Sequence, residues 1–417
     1  MGRVKGLGQI DPLSVRLPHG TEVTTRVDRF FGERRIPDGT VGRVSRTEGD
    51  DVDVSIVGVG VVRYARREVL PRRDGQLAFA VRRDAAWTAL SPCIVLESTV
   101  GSRAWGLSEE GSDIDRRGTF ALPLGWTTSL VTPPEDLISD DGSSTYWEVK
   151  KTIRQALRAD PNTLEMLFVP SATPRDEIGA WILAERDAFL SREMFGTFAR
   201  YAVAQLRRLE QAARLAEHRG LVLDWLRADP GLDLDGVAVR LAGMSPRAAP
   251  TEADRVLLAR EWVKQLYRSL HDQGLLPAKD FVSLVEFARG PSRTLELSRE
   301  LRPKNAYNLL RLILTARDWL ESGTSDLVVR GDARTRLLSI KRGEVDLADV
   351  LREAEGLLPE LEAARDASPL PLRPDFARAE ALARRVGQEI ARRGVHALDG
   401  PFGKDAPIPP SLPETES

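Results

Sequence analysis

Asp113 and Asp115 stand one residue apart in Ser112-Asp113-Ile114-Asp115, shortly after the run Gly101-Ser102-Arg103-Ala104-Trp105-Gly106-Leu107. On a strand, side chains alternate faces, so the two carboxylates are expected on one face, with Ile114 pointing into the core. Side by side they repel each other unless a cation lies between them. Mg²⁺ suits such a pair, because it binds through one or two carboxylates together with substrate phosphates. The Gly101-Ser102 turn adds backbone N–H groups and a hydroxyl, which are donors for phosphate oxygens, and Arg103 follows directly. Together these residues predict a metal–triphosphate site. An acid pair alone is also what an ordinary solvated turn looks like, and it is the Gly-Ser turn upstream that gives this pair its weight.

The elements that must position these residues are legible around them. Trp87–Leu90 reads as a short helix leading into an apolar strand over Pro92–Ser98, and Gly118–Pro123 reads as the end of the acid-bearing strand. Residues 131–145 are loop-like. Tyr146-Trp147-Glu148-Val149 reads as a further strand, and a helix follows from Lys150, with Ile153, Ala156 and Leu157 at helical spacing. From about residue 190 the chain is helical, with stripes such as Phe195, Phe198, Tyr201, Ala202 and Leu206, or Trp262, Leu266 and Leu270. Pro303 is suited to open a helix. On that helix Lys304, Asn308 and Arg311 fall at i, i+4 and i+7, a face that would clamp triphosphate oxygens or else form a solvated basic stripe.

Gly101–Leu107 and Ser112–Asp115 resemble the signature of the DNA polymerase beta superfamily of nucleotidyltransferases. They are similar in particular to a bacterial and phage branch of predicted nucleotidyltransferases, some linked to RNA repair, that carries Gly-Ser-x-Ala-x-Gly-Leu and Ser-Asp-x-Asp. The resemblance runs over roughly residues 90–390. Glu148, Lys151, Ile153, Asp160-Pro161 and Leu164-Glu165 fall on a Glu-Leu-x-Lys-x-Leu run followed by Asn-Pro-x-x-Leu-Glu-x-Leu. Lys304, Ala306 and Arg311 fall on Lys-x-Ala-x-His-x-x-Arg, with Asn308 in place of the histidine, and Leu337–Glu344 on Leu-x-x-Ile-Arg-x-Gly-Glu. The resemblance implies a third carboxylate on a neighbouring strand, for which Glu148 is the first choice and Glu165 the second. It implies Mg²⁺ (or Mn²⁺) held by Asp113, Asp115 and that third acid, with Gly101, Ser102, Arg103, Lys304, Asn308 and Arg311 binding a nucleoside triphosphate. The activity implied is an EC 2.7.7-type transfer of a nucleoside monophosphate to a hydroxyl. An RNA end is the favoured acceptor, and a protein or small-molecule hydroxyl remains open. The alternative is an RNA- or protein-binding module that keeps the fold without catalysis.

The 417 residues suffice for two or three domains. Sixty basic against 62 acidic residues leave a net charge of -2, so any basic nucleic-acid surface must be local. Cys93 is the one cysteine and His19, His218, His271 and His396 are scattered, which excludes disulfides, zinc clusters and Ser-His catalysis. No signal peptide or apolar run of membrane-spanning length is present, so no membrane association and a cytoplasmic location are expected; oligomeric state is open. Short β-branched runs separated by turn residues over 1–75 predict a small SH3-like barrel, similar to those with KOW motifs, binding RNA, binding protein or serving as a structural add-on. Arg63, Arg66, Arg67, Arg72 and Arg73 could give it a basic edge. The expected whole is multidomain α+β: this barrel, a nucleotidyltransferase α/β core with a mixed sheet over 85–190, a helical domain over 191–397, and a disordered Pro-rich tail over 398–417.

Overall fold

Alternating β-branched residues build the first sheet. A computed structural model describes residues 11–32, 34–57, 59–130, 132–229, 231–244, 249–272, 275–290, 303–324 and 327–395. The Pro-rich tail lies outside the described residues. The strands are β1 (Glu22–Thr25), β2 (Arg29–Phe31), β3 (Arg34–Ile36), β4 (Val41–Glu48), β5 (Asp51–Ile56), β6 (Gly60–Ala65) and, after a 3₁₀ turn, β7 (Val69–Pro71). Five of them form an antiparallel sheet in the order β6-β5-β4-β1-β7, and β2 and β3 form a separate hairpin. Period-two burial of Val52, Val54 and Ile56 fixes which face of β5 is inside. The expected strands are there, while the end strands β6 and β7 do not pair with each other. The basic edge is largely spent internally. Arg63 pairs with Asp53 at 2.7 Å, Arg72 reaches Glu22 at 3.4 Å, and Arg66 donates to the carbonyls of Pro12 and Val15.

The second sheet carries the candidate chemistry. Helix α1 (Asp74–Leu90), longer than the expected Trp87–Leu90, leads into β8 (Ile94–Val100). Then come β9 (Asp115–Phe120), α2 (Leu124–Thr127), β10 (Asp136–Ile138), β11 (Ser144–Glu148), α3 (Val149–Leu157), α4 (Pro161–Phe168), β12 (Thr173–Pro174) and α5 (Glu177–Ala184). The order is β10-β11-β9-β8-β12, with β9 and β11 parallel and the other pairs antiparallel: the expected mixed sheet. Gly118 is required at its centre, because a Cβ there would lie 2.0 Å from the Leu96 carbonyl oxygen. Asp160 caps α4 by accepting from the Thr163 N–H at 2.9 Å, and Pro161 fills the first helical position, where its missing N–H costs nothing.

The remaining helices are α6 (Glu193–Ala228), α7 (Leu234–Met244), α8 (Glu252–Asp272), α9 (Phe281–Arg289), α10 (Pro303–Ser322), α11 (Gly331–Lys341), α12 (Leu347–Ala367) and α13 (Phe376–Val395). The chain divides into two units. Residues through Ile56, Gly60–Val203 and from Tyr307 onward form one; Val57, Val59 and Ala204–Ala306 form the other. The second unit is helical around Val222, Leu226, Val237, Leu241, Val263, Leu270 and Leu284. The expected single helical domain over 191–397 is therefore split, its last helices belonging with the two sheets. Leu382, Val386 and Ile390 of α13 are buried as their spacing predicts, but Phe376, at the helix start, is exposed. Among the described residues no helix is long and apolar enough to cross a membrane.

One anchor of α13 predicts a pH dependence. Glu389 accepts from Arg392 and Arg393, and Arg393 also reaches Asp176, the N-cap of α5, at 3.0 Å. Hydrogen bonds from Arg392 first, and then Arg393, hold the Glu389 carboxyl at about 2 against an ordinary 4.5. A depressed folded-state pKa gives stability that is present above about 4.5 and lost as pH falls toward 2. Glu389→Gln is expected to flatten that part of the Tm-against-pH curve; an unchanged acid limb would remove Glu389 from the account.

Candidate active site

Strand β8 ends at Val100, directly opposite Asp115 at the start of β9. The chain leaves β8 through Gly101, whose φ of +70° lies in the left-handed region. A Cβ at Gly101 would also sit 2.8 Å from Asp115 Oδ2, so glycine is needed both for the turn and for the close approach of the carboxylate. A single 3₁₀ turn, Gly101–Arg103, follows, and Leu107 N–H closes it onto the Ser102 carbonyl at 2.8 Å. Trp105 and Leu107 are buried and pin the turn from below. Arg103 donates to the Ser112 carbonyl at 2.8 Å, and the Ser112 hydroxyl accepts from Glu109 N–H at 2.9 Å, folding the loop back to the acids.

Asp113 and Asp115 are both exposed, and among the described residues neither carboxylate has a hydrogen-bond or ion-pair partner. Ile114 is not a core residue; it is 44 % exposed. The strand begins only at Asp115, so Asp113 and Ile114 lie in the loop and strict alternation does not reach them.

The two candidates for a third acid lie in different places. Glu148 pairs in register with Phe120, five residues along β9 from Asp115, which at the rise of a strand is roughly 16 Å. It is 7 % exposed and caps α3, accepting from Lys151 N–H at 3.1 Å. Burial pushes its carboxyl pKa up, against the helix N–H groups of Lys150 and Lys151. The expected set of Asp113, Asp115 and Glu148 is thus not brought together, because the parallel β9–β11 register sends Glu148 to the far end of the strand. Among the described residues no group of three acids, histidines or cysteines could hold a metal.

Glu165, by contrast, lies beneath the Gly101 turn. Its Oε1 accepts from Gly101 N–H at 2.8 Å and from the Trp105 indole N–H at 2.6 Å. Its Oε2 faces Arg117 at 3.9 Å and Arg311 at 3.7 Å. Arg311 does not project into solvent as a phosphate clamp would. Its side chain is 11 % exposed and its guanidinium lies 3.9 Å from the Trp105 ring centroid, with Nη1 without a hydrogen bond among the described residues. Asn308, one turn earlier, is half-buried, and Lys304 is exposed in the helix's first turn, within the second unit.

Arg334, which sequence reasoning passed over, and two residues of the Leu337–Glu344 run also hold the loop. Arg334 donates to the Gly106 carbonyl and Lys341 to the Leu107 carbonyl, each at 2.9 Å, while Arg342 pairs with Glu109 at 2.7 Å. The Leu337–Glu344 run therefore matters as the support of the 101–109 loop. Arg117 was within reach of sequence reasoning, since two residues along a strand from Asp115 it shares that residue's face.

The donor set fits a divalent cation in a limited form. Two unpartnered hard-oxygen ligands, Asp113 and Asp115, stand beside a glycine cradle that any Cβ would fill. That is what Mg²⁺ uses when substrate phosphates and water complete its shell.

Residues 80–221 match the family model described as RlaP, RNA repair pathway DNA polymerase beta family. No curated protein and no solved structure matches the chain.

Proposed function

From a nucleotidyltransferase domain of the DNA polymerase beta superfamily at residues 80–221, we propose that this chain moves a nucleoside monophosphate from a triphosphate to the hydroxyl of an RNA end. The observation that carries this reading is the packing of the Gly101 turn against Asp115, with neither acid partnered among the described residues. Backbone N–H groups of the turn and the Ser102 hydroxyl bind the triphosphate oxygens, and Arg103, exposed beside them, adds charge. Asp113 and Asp115 would hold Mg²⁺, or Mn²⁺, with substrate phosphates and water completing its shell. When bound, the metal supplies charge neutralisation and a lowered pKa for the attacking hydroxyl. The hydroxyl oxygen forms a bond to the α-phosphorus. The bond from that phosphorus to the bridging oxygen breaks, pyrophosphate leaves with the electron pair, and the hydroxyl proton passes to water. Glu165 keeps the turn in place from below; Arg311, bound to it, serves the turn rather than the phosphates.

The incomplete set of three acids favours one rival, a module that binds RNA or protein without transferring anything. The two readings separate when each α-labelled nucleoside triphosphate is incubated with the protein, Mg²⁺ or Mn²⁺, and tRNA or total RNA. Label on RNA with matching pyrophosphate release is the expected result. RNA retained by the protein with no label from any of the four nucleotides would establish the rival.

A further inference from the structure

A cavity of about 640 Å³ lies on the other side of the acid-bearing strand. Its walls include Trp87 from the end of α1, Glu97 from β8, Arg116 from β9, Ser144 and Tyr146 from β11, and Arg175 beyond β12. Strand alternation turns Arg116 away from the face of its neighbour Asp115, so one residue separates the candidate metal ligand from the cavity wall. The volume is that of a site for a small ligand.

The lining is both aromatic and polar. Trp87, half-buried, supplies the apolar wall, backed by the buried Tyr146 ring at 6.2 Å between centroids and inclined at 46°. The Tyr146 hydroxyl donates to Glu97 at 2.5 Å and Arg175 pairs with Glu97 at 2.9 Å. Arg116 is less engaged, its one ion pair, to Glu97, being 4.0 Å long among the described residues, and its side chain 44 % exposed. Asp141, also on the rim, is occupied by Ser139 and Ser143 of its own loop. The cavity is therefore close to neutral with one available guanidinium, which suits a nucleoside bearing a single phosphodiester better than a triphosphate.

The wall is built rather than incidental. Arg116 N–H donates to the Ser143 carbonyl at 2.9 Å, tying the 139–144 loop to β9. The segment ahead of β1 holds that loop from outside. Arg16 pairs with Asp140, and a Cβ at Gly142 would meet the His19 ring at 2.7 Å. His19 is itself held by its ring nitrogen on the Ser45 carbonyl at 2.8 Å and by Arg83 on its own carbonyl at 2.8 Å.

Resting on the transfer reading above, we propose that this cavity receives the terminal nucleoside of a single-stranded RNA acceptor. The base lies against Trp87, which Tyr146 backs from the core, and the adjoining phosphodiester on Arg116, while the segment ahead of β1 keeps the wall in shape. The chemical step is the one already written, with this nucleoside's ribose hydroxyl as the attacking oxygen.

The test uses the full chain and a short RNA ending in 4-thiouridine with a free 3′ hydroxyl. Irradiation is expected to crosslink the RNA to peptides containing Trp87 or Tyr146. Trp87→Ala should weaken RNA binding, read by anisotropy, roughly tenfold or more, as loss of a stacking platform does. Trp87→Phe should restore most of it, which a folding defect would not allow. Arg116→Gln should weaken RNA binding and flatten its salt dependence by about one phosphate contact. Triphosphate affinity should be unchanged in Trp87→Ala. Crosslinks confined to other peptides, an unchanged RNA Kd in Trp87→Ala, or label transferred to a protein acceptor in preference to RNA would each overturn the proposal. If crosslinks map here but wild-type protein transfers no nucleotide, the cavity stands and the transfer reading falls; if transfer occurs and crosslinks map elsewhere, only the cavity falls.

Discussion

Asp115→Asn is expected to lower nucleotide transfer to RNA by about 10³-fold, the kinetic equivalent of losing roughly 4 kcal/mol of charge stabilisation at the metal. Asp113→Asn should behave alike in direction. Neither change should lower Tm, because neither carboxylate has a protein partner to lose among the described residues. Relief of the repulsion between two neighbouring carboxylates should if anything raise it slightly in metal-free buffer. The two variants should differ in one respect. Asp115 lies against Gly101, so its amide replacement presents an N–H₂ or an oxygen to the turn, and triphosphate affinity should fall along with turnover. Asp113, on the loop, should affect turnover more than nucleotide affinity. Single-turnover transfer at saturating Mg²⁺, with thermal melts alongside, measures both effects. Near wild-type turnover in either variant would show that the acid pair is not the metal site.

What the sequence disclosed depended on how local the information was. The Gly101 turn and the acid pair each lie within a few residues of chain, where φ preferences act, and the structure has the left-handed glycine. The third acid depended on register. Glu148 and Glu165 both sit in apolar surroundings, and strand context alone favours Glu148. The parallel pairing of β9 with β11 carries Glu148 away from Asp115, whereas the close packing of α4 on β8 brings Glu165 under Gly101. Helical spacing likewise put Lys304, Asn308 and Arg311 on one face without disclosing that Arg311 would find Trp105 and Glu165 in the core. Lys341 and Arg342 reach the 101–109 loop across more than 230 residues of chain, a contact that no periodicity announces.

Glu165 is expected to be indispensable for a reason other than metal binding. Only 5 % exposed, it gives one oxygen to Gly101 N–H and the Trp105 indole and sets the other against Arg117 and Arg311. Both oxygens are thus engaged by donors and cations of the protein, which leaves little to offer a metal. Glu165→Ala would leave the buried Arg311 guanidinium without its counter-charge, at a cost of about 3–5 kcal/mol. Glu165→Gln keeps an acceptor for Gly101 but turns an N–H₂ toward two guanidinium groups, so it should also lower Tm, by less. If the Gly101 turn holds the triphosphate as proposed, Glu165→Gln should raise the nucleotide KM. At saturating nucleotide, the Mg²⁺ concentration giving half-maximal rate should stay as in wild type. A double replacement, Glu165→Leu with Arg311→Leu, removes both charges together and should recover part of the lost stability, since the buried cation is then gone. It should not recover nucleotide affinity, because the acceptor for Gly101 N–H is gone as well. A Glu165→Gln protein of unchanged Tm that needs far more Mg²⁺ would instead make Glu165 the third metal carboxylate.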